Sequence, residues 1–355
     1  MKQTIYILLS AVLLTVSACG SEDIVLNEEE NMDAEVQLAV SIASSDDGTR
    51  AGNNETFFKT YFITDDEIRF VNTQYFSVPD FTQKSSIFSY NSEKSQELNK
   101  SIFTQAGESA MTWNSFHLTS YAFTFEAAYY PENTYFTEVP SDQSTEKGFQ
   151  SADLLLAHHR TTLDNRYEEI HLKFHHVFCM VKLIIDVPVG IGGLPTDALQ
   201  EAELKNIKRG YEVEYSQTIS NDGVRSVKGV SVTGDNTSTD VQMWEQSKVT
   251  KDDVQTYNYY AIIPYQEQIT DDFIHFKVKV GNTVKTYRFK PADQGQISLR
   301  RSYITVLKLK LDEEGGLPVL LSAEIKDWDT ASADMTLSPN DNPNDNNDQG
   351  GGSES

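Results

Sequence analysis

Five of the seven histidines in this chain, His158, His159, His171, His175 and His176, fall between positions 158 and 176. Imidazoles at that density suggest a zinc site. On a helix, His171 and His175 would stand one turn apart and could share an ion. On a strand they lie about 13 Å apart at about 3.3 Å per residue, too far to do so. The stretch "EIHLKFHHVFCMVKLIIDVPV" reads as strand, and neither an HExxH motif nor a pair of thiolates accompanies it. Histidines satisfied within a sheet are therefore preferred to a metal site. "GIGGLP" has Gly190 and Gly192 after a strand, but Pro195 occupies the third glycine position of a dinucleotide loop. Cys179 sits in an apolar run without the exposure a nucleophile needs, so it reads as a small core residue. No Gly-x-Ser-x-Gly elbow is present, and 53 acidic residues make paired carboxylates uninformative. Some hydrolases, glycosidases among them, show little in a single sequence. With no catalytic constellation and no cofactor motif, the reading is a non-enzymatic protein.

The other cysteine has a clearer use. Met1-Lys2 and the apolar run "TIYILLSAVLLTVSA" end at Val16-Ser17-Ala18-Cys19. The run is shorter than the roughly 20 residues of a membrane span, so it reads as a signal peptide. A small residue before Cys19 resembles the bacterial lipobox, which makes Cys19 the lipidated N-terminus. Val16-x-Ala18 also fits an ordinary signal-peptidase site. The polar, acidic segment "GSEDIVLNEEENMDAE" that follows suits a solvated tether holding a domain off a membrane.

Next comes a strand and then an isolated cation. Val36, Leu38, Val40 and Ile42 alternate with Glu35, Gln37, Ala39 and Ser41, the period of a half-buried strand. The turn cluster Ser-Ser-Asp-Asp-Gly leads to Arg50, the first Lys or Arg after Lys2. Arg50-Ala51 is a candidate proteolytic site in an exposed loop; equally, it is an ordinary loop behind an ordinary first strand.

The net charge of −24 and pI near 4.6 argue against nucleic acid and anionic membrane as partners. The 17 Tyr and 18 Phe favour pleated surfaces. Short strands alternate with turn clusters. "SYAFTFEAAYYP" presents Tyr121, Phe123 and Phe125 on one face and closes at Pro131. Leu172 and Phe174 lie on one parity and Val181, Leu183 and Ile185 on the other, which predicts a bulge or break near His176. "FIHFKVKVGNTVKTYRFK" predicts a hairpin turning at Gly281-Asn282, and "SYITVLKLKL" predicts a strand. "TDALQEAELKNIK" fits helix or strand. Tyr129, Tyr130, Tyr257, Tyr259 and Tyr260 could stack on sugars, but such residues more often fill sandwich cores. The pattern predicts an all-β protein of two tandem β-sandwiches. Its divisions are signal peptide 1–18, acidic tether 19–33, N-terminal sandwich 34–187, C-terminal sandwich 188–337 and disordered polar tail 338–355. The joint is placed at the Gly/Pro-rich "VGIGGLP".

Taken in order, several motifs resemble the fimbrillin family of Bacteroides-type bacteria. They are Thr112-Trp113; Tyr129-Tyr130-Pro131; Asp153-Leu154-Leu155 with Ala157; Phe174 with His176; "NYYAIIPYQEQ"; "GQISLRRSYITVLKLKL"; and "IKDW" ending at Trp328. The resemblance implies transthyretin-like sandwiches and an outer-membrane, surface-exposed lipoprotein that builds or decorates fimbriae. It implies partners in other fimbrial subunits, in the outer membrane through the lipid, and in a host or bacterial surface receptor. In polymerising members a protease cuts after an arginine behind the first strand. Here that would be Arg50, with Val36, Leu38, Val40 and Ile42 as the removed strand, replaced by a strand from another subunit. After Leu337 no alternating apolar segment is left to donate. "LPVLLSAEIKDW" and "SADMTL" are the only other donors, and the C-terminal domain has its own need of them. The implied role is a tip, accessory or anchor subunit. The alternative is a stand-alone glycan- or protein-binding lipoprotein that does not polymerise.

Overall fold

The computed structural model describes residues 35–43, 59, 61–72, 85–105, 112–113, 122–162, 168–190, 193–214, 229–232, 238–266, 269, 272–290, 297, 299–311 and 319–327. These residues form eighteen strands and only short helices, so the chain is predominantly β. Cys19, Arg50, Ala51, Tyr121 and the polar tail lie outside the described residues.

Strands β1 (Leu38–Ile42), β2 (Glu67–Asn72), β3 (Ser85–Tyr90), β4 (Ser101–Thr104), β5 (Ala122–Tyr129), β6 (Leu155–Thr162) and β7 (Ile170–His176) form a closed barrel. Its order is β1-β4-β3-β2-β5-β6-β7. The sandwich expected over 34–187 is thus a barrel. The reason is β1, which pairs antiparallel with β4 on one side and parallel with β7 on the other, leaving no free edge. Inside lie Leu38, Val40 and Ile42 with Phe70, Phe88, Phe103, Phe125, Leu172 and Phe174. A short helix, α1 (Ser92–Leu98), precedes β4. Asn91 caps its first turn by accepting the Lys94 N–H, and Asn99 ends it in the left-handed conformation.

Strand β8 (Cys179–Pro188) belongs elsewhere. It pairs with β14 (Val254–Ile263) and β17 (Tyr303–Lys310), both in the second half of the chain. With the edge strands β13 (Trp244–Lys251) and β18 (Val319–Asp327) these make a five-stranded sheet. It packs on a four-stranded sheet of β12 (Thr239–Gln242), β9 (Leu199–Ile207), β15 (Ile274–Val280) and β16 (Thr283–Phe289). Val181, Leu183, Tyr257 and Leu307 meet Ala202, Leu204, Phe276 and Val278 between the layers, a sandwich core. A further pair, β10 (Tyr211–Glu214) and β11 (Gly229–Val232), stands apart.

The change of strand system therefore falls at Val177-Phe178, not at 187/188, and β8 moves from the first unit to the second. The parity switch predicted near His176 is this break, since β7 ends there and β8 starts at Cys179. The described ends of "VGIGGLP" fall instead inside the second unit, where the Leu194 N–H donates to the Pro188 carbonyl. "TDALQEAELKNIK" resolves as strand β9. The Gly281-Asn282 hairpin joins β15 to β16 as predicted, with Gly281 at φ +60°, where a side chain would be strained.

A third core joins the two units. Ala128 and Leu156 from the outside of the barrel meet Met180, Tyr260, Ile262, Ile304 and Val306 from the outer face of the five-stranded sheet. A strap running from Tyr130 to Leu154 completes it with Val139, Phe149 and Leu154, carrying the one-turn helix α2 (Glu146–Gln150).

Candidate functional site

The slot occupied by β1 is the feature with functional geometry. Val36, Leu38, Val40 and Ile42 are all buried, at 2%, 0%, 6% and 1% exposure. Leu38 stands opposite Phe103 and Ile170, Val40 opposite Ser101 and Leu172, and Ile42 opposite Phe174. The ladder continues past the strand, with the Ala43 N–H donating to the Phe174 carbonyl at 2.8 Å. Full burial of side chains this size is worth about 1.5–3 kcal/mol each. Burial of this kind would hold β1 in place even if the chain were cut between β1 and β2.

Strand β8 makes the comparison instructive. It too lies between an antiparallel neighbour, β14, and a parallel one, β17. Each unit thus begins with a strand held in the same way. In the second unit the next strand, β9, joins the opposite sheet; in the first, β1 is followed in sequence by the segment that carries Arg50.

One aromatic plug of this core comes from the chain beyond Arg50 rather than from β1. Phe62 enters the core edge-on to Phe103, Tyr129 and Phe174, at centroid distances of 5.1, 5.5 and 5.6 Å. Phe103 and Phe174 belong to the two strands flanking β1, so Phe62 bridges the lips of the slot from inside. It is held by a clasp: Lys59 Nζ donates to both oxygens of Asp66, at 2.9 and 2.6 Å. The Ile63 N–H and the Tyr129 hydroxyl donate to the same carboxylate. Burial, followed by the charge of Asp66, pushes the Tyr129 phenol well above its ordinary range. Nothing in the sequence pattern marked Lys59, Phe62 or Asp66; the Lys59-x6-Asp66 spacing was the only available sign.

The remaining candidates lie in strands and cores. His176 is fully buried, with Nδ1 2.7 Å from Asp153 Oδ1. His171 and His175 share strand β7, and His171 approaches Glu169 at 3.4 Å. Desolvation and the nearby His175 depress the pKa of His158; desolvation and His171 do the same to His159. No group of three metal-binding side chains converges among the described residues. Tyr129, Tyr130, Tyr257, Tyr259 and Tyr260 are all buried, so none offers a face to a sugar. Cys179 is buried, and desolvation pushes its thiol up to about 12.

A family model described as fimbrillin-like matches residues 49–328, beginning just after β1. The chain belongs to the fimbrillin-like family. No curated protein matches it. Among solved structures it is similar to candidate cell adhesion proteins from Bacteroides uniformis (14% identity) and Bacteroides ovatus (13% identity). In both cases the TM-score is 0.50, and the match covers 83% of this chain and 98% of the other. The fimbrial anchor protein Mfa2 of Porphyromonas gingivalis also matches, at 11% identity and a TM-score of 0.37 over 83% of this chain and 98% of that one.

Proposed function

We propose that this chain is a non-enzymatic, adhesive surface subunit of a fimbria, delivered to the surface as a lipoprotein through Cys19, whose barrel can take a strand of another subunit in place of β1 once the chain is cut after Arg50. The observation that carries the reading is the seating of β1. It lies between β4 and β7, contributes a row of core side chains, and is followed in sequence by Arg50. Strand addition at such a slot supplies main-chain hydrogen bonds and pockets for alternate side chains.

The pairing of β18 supports one role in the fibre over another. Most of "LPVLLSAEIKDW" is β18, an edge strand paired to β17 and thus already in use. "SADMTL" lies outside the described residues. A subunit that accepts a strand or stays anchored, rather than one that passes a strand on, fits this arrangement: tip, accessory or anchor.

Intact mass and N-terminal identification of the mature protein from its native surface test the proposal. A chain starting at Ala51 without lipid supports strand exchange. An acylated Cys19 with Val36–Ile42 still attached supports an anchor. A non-lipidated chain that begins before β1 would overturn both.

A further inference from the structure

The exchange reading leaves open what a replacing strand must look like on its outward side, and the geometry answers this. Ala39 is the outward residue between Leu38 and Val40, yet it is only 6% exposed. Its register partners are Ile102 on β4 and His171 on β7. Lys100 and Glu169 share that outward parity, two residues before Ile102 and His171, and so come from opposite sides of β1. Their side chains meet, with Lys100 Nζ 3.0 Å from Glu169 Oε1. Extending the two registers by one residue puts Lys100 beside Ser41 and Glu169 beside Gln37, so the ion pair spans the outer face of β1 diagonally with Ala39, its smallest side chain, between the two ends. Both ends are supported. The Lys100 N–H is tied to the Ser95 carbonyl at the end of α1, and Glu169 also lies 3.4 Å from His171.

We propose that Lys100 and Glu169 form a roof over the β1 slot, so that the slot admits only a strand with a small residue at the position of Ala39. This rests on the reading of the slot as a site of strand exchange. Inward positions ask for apolar side chains, as any β-addition site does; the roof adds a second requirement on the opposite face. A long side chain there would collide with the crossed pair or force it open. The slot thus discriminates among donors that its apolar pockets alone would accept equally.

Two measurements on the full chain separate the roof from the exchange reading. In the uncut protein, the stabilities of Ala39→Leu, Lys100→Ala and the double variant form a thermodynamic cycle. The roof requires coupling: Ala39→Leu should destabilise the parent more than it destabilises the Lys100→Ala protein. Additive effects would overturn the roof. In the protein cut by an arginine-specific endoprotease, synthetic peptides of residues 34–45, with Ala39 or with Ala39→Leu, compete for the slot. The parent should disfavour the leucine peptide by about tenfold. Lys100→Ala and Glu169→Ala should narrow that preference to about twofold. Equal binding of both peptides by the parent would also overturn the roof. Coupling in the uncut chain with no peptide uptake after the cut would support the roof and overturn strand exchange instead.

Discussion

Gln143, fully buried in the strap, hydrogen-bonds both backbone groups of Ile262 on β14. The Ile262 N–H donates to Oε1 at 2.8 Å, and Nε2 donates to the Ile262 carbonyl at 2.8 Å. One amide side chain thus does the work of a neighbouring strand just where β13 no longer covers β14. Replacing it with leucine leaves two buried backbone groups unpaired. Gln143→Leu should cost about 2–4 kcal/mol of stability, read from urea unfolding.

The first strand should show a strong contrast between its faces. Leu38→Ala and Ile42→Ala each remove a fully buried branched side chain and should cost about 2–5 kcal/mol. Ser41→Ala, on the outward face, should fall within about 0.5 kcal/mol of the parent. Equal effects at Leu38 and Ser41 in thermal unfolding would contradict the inward register.

The clasp under Phe62 can be opened without touching β1. Asp66→Asn keeps the shape but loses the charge that binds Lys59. The barrel should lose about 1–3 kcal/mol, with Lys59→Met costing at least as much because it leaves the more deeply buried Asp66 carboxylate without its cation. Guanidinium titrations of the two variants decide the order.

The thiol of Cys179 gives a pH prediction. Its folded pKa, about 12, lies above that of an unfolded thiol, because burial disfavours the thiolate. The contribution to stability is complete below the unfolded value and is lost as pH rises through the folded one. Alkylation at about pH 9, near the ordinary thiol pKa, should therefore be slow in the folded chain and fast in urea. Equal rates would place Cys179 at the surface.

Period-2 alternation made β1, the Gly281 hairpin and the break at His176 legible, because each depends on residues close together in the chain. Barrel closure was not legible. It needs β1 to lie parallel to β7, a pairing such as Leu38 with Ile170 that no local pattern encodes. The joint was misplaced for a related reason. Glycine and proline mark sharp turning, and "VGIGGLP" carries both, but its described ends lie within the second unit. The real passage uses two apolar residues, Val177 and Phe178, which carry no turn signal. Of the slot, the inward side chains could be read in advance. Phe62 and the Lys100–Glu169 pair could not, since their importance comes from what lies opposite them in space.

In the proposed fibre, that two-residue passage would make the molecule a tension member. A partner's strand held beside β7 would pass a pull into β7, across Val177-Phe178, and into β8 at the middle of the five-stranded sheet. Phe178 is anchored at this crossing, buried and edge-on to Tyr211 at 4.9 Å, with its carbonyl accepting the Ser302 N–H. Because β7 and β8 run parallel to the strands β1 and β17 beside them, a pull applied at opposite ends of such a pair would load a whole row of hydrogen bonds together rather than one at a time. Load applied at the slot would thus reach the centre of the second unit.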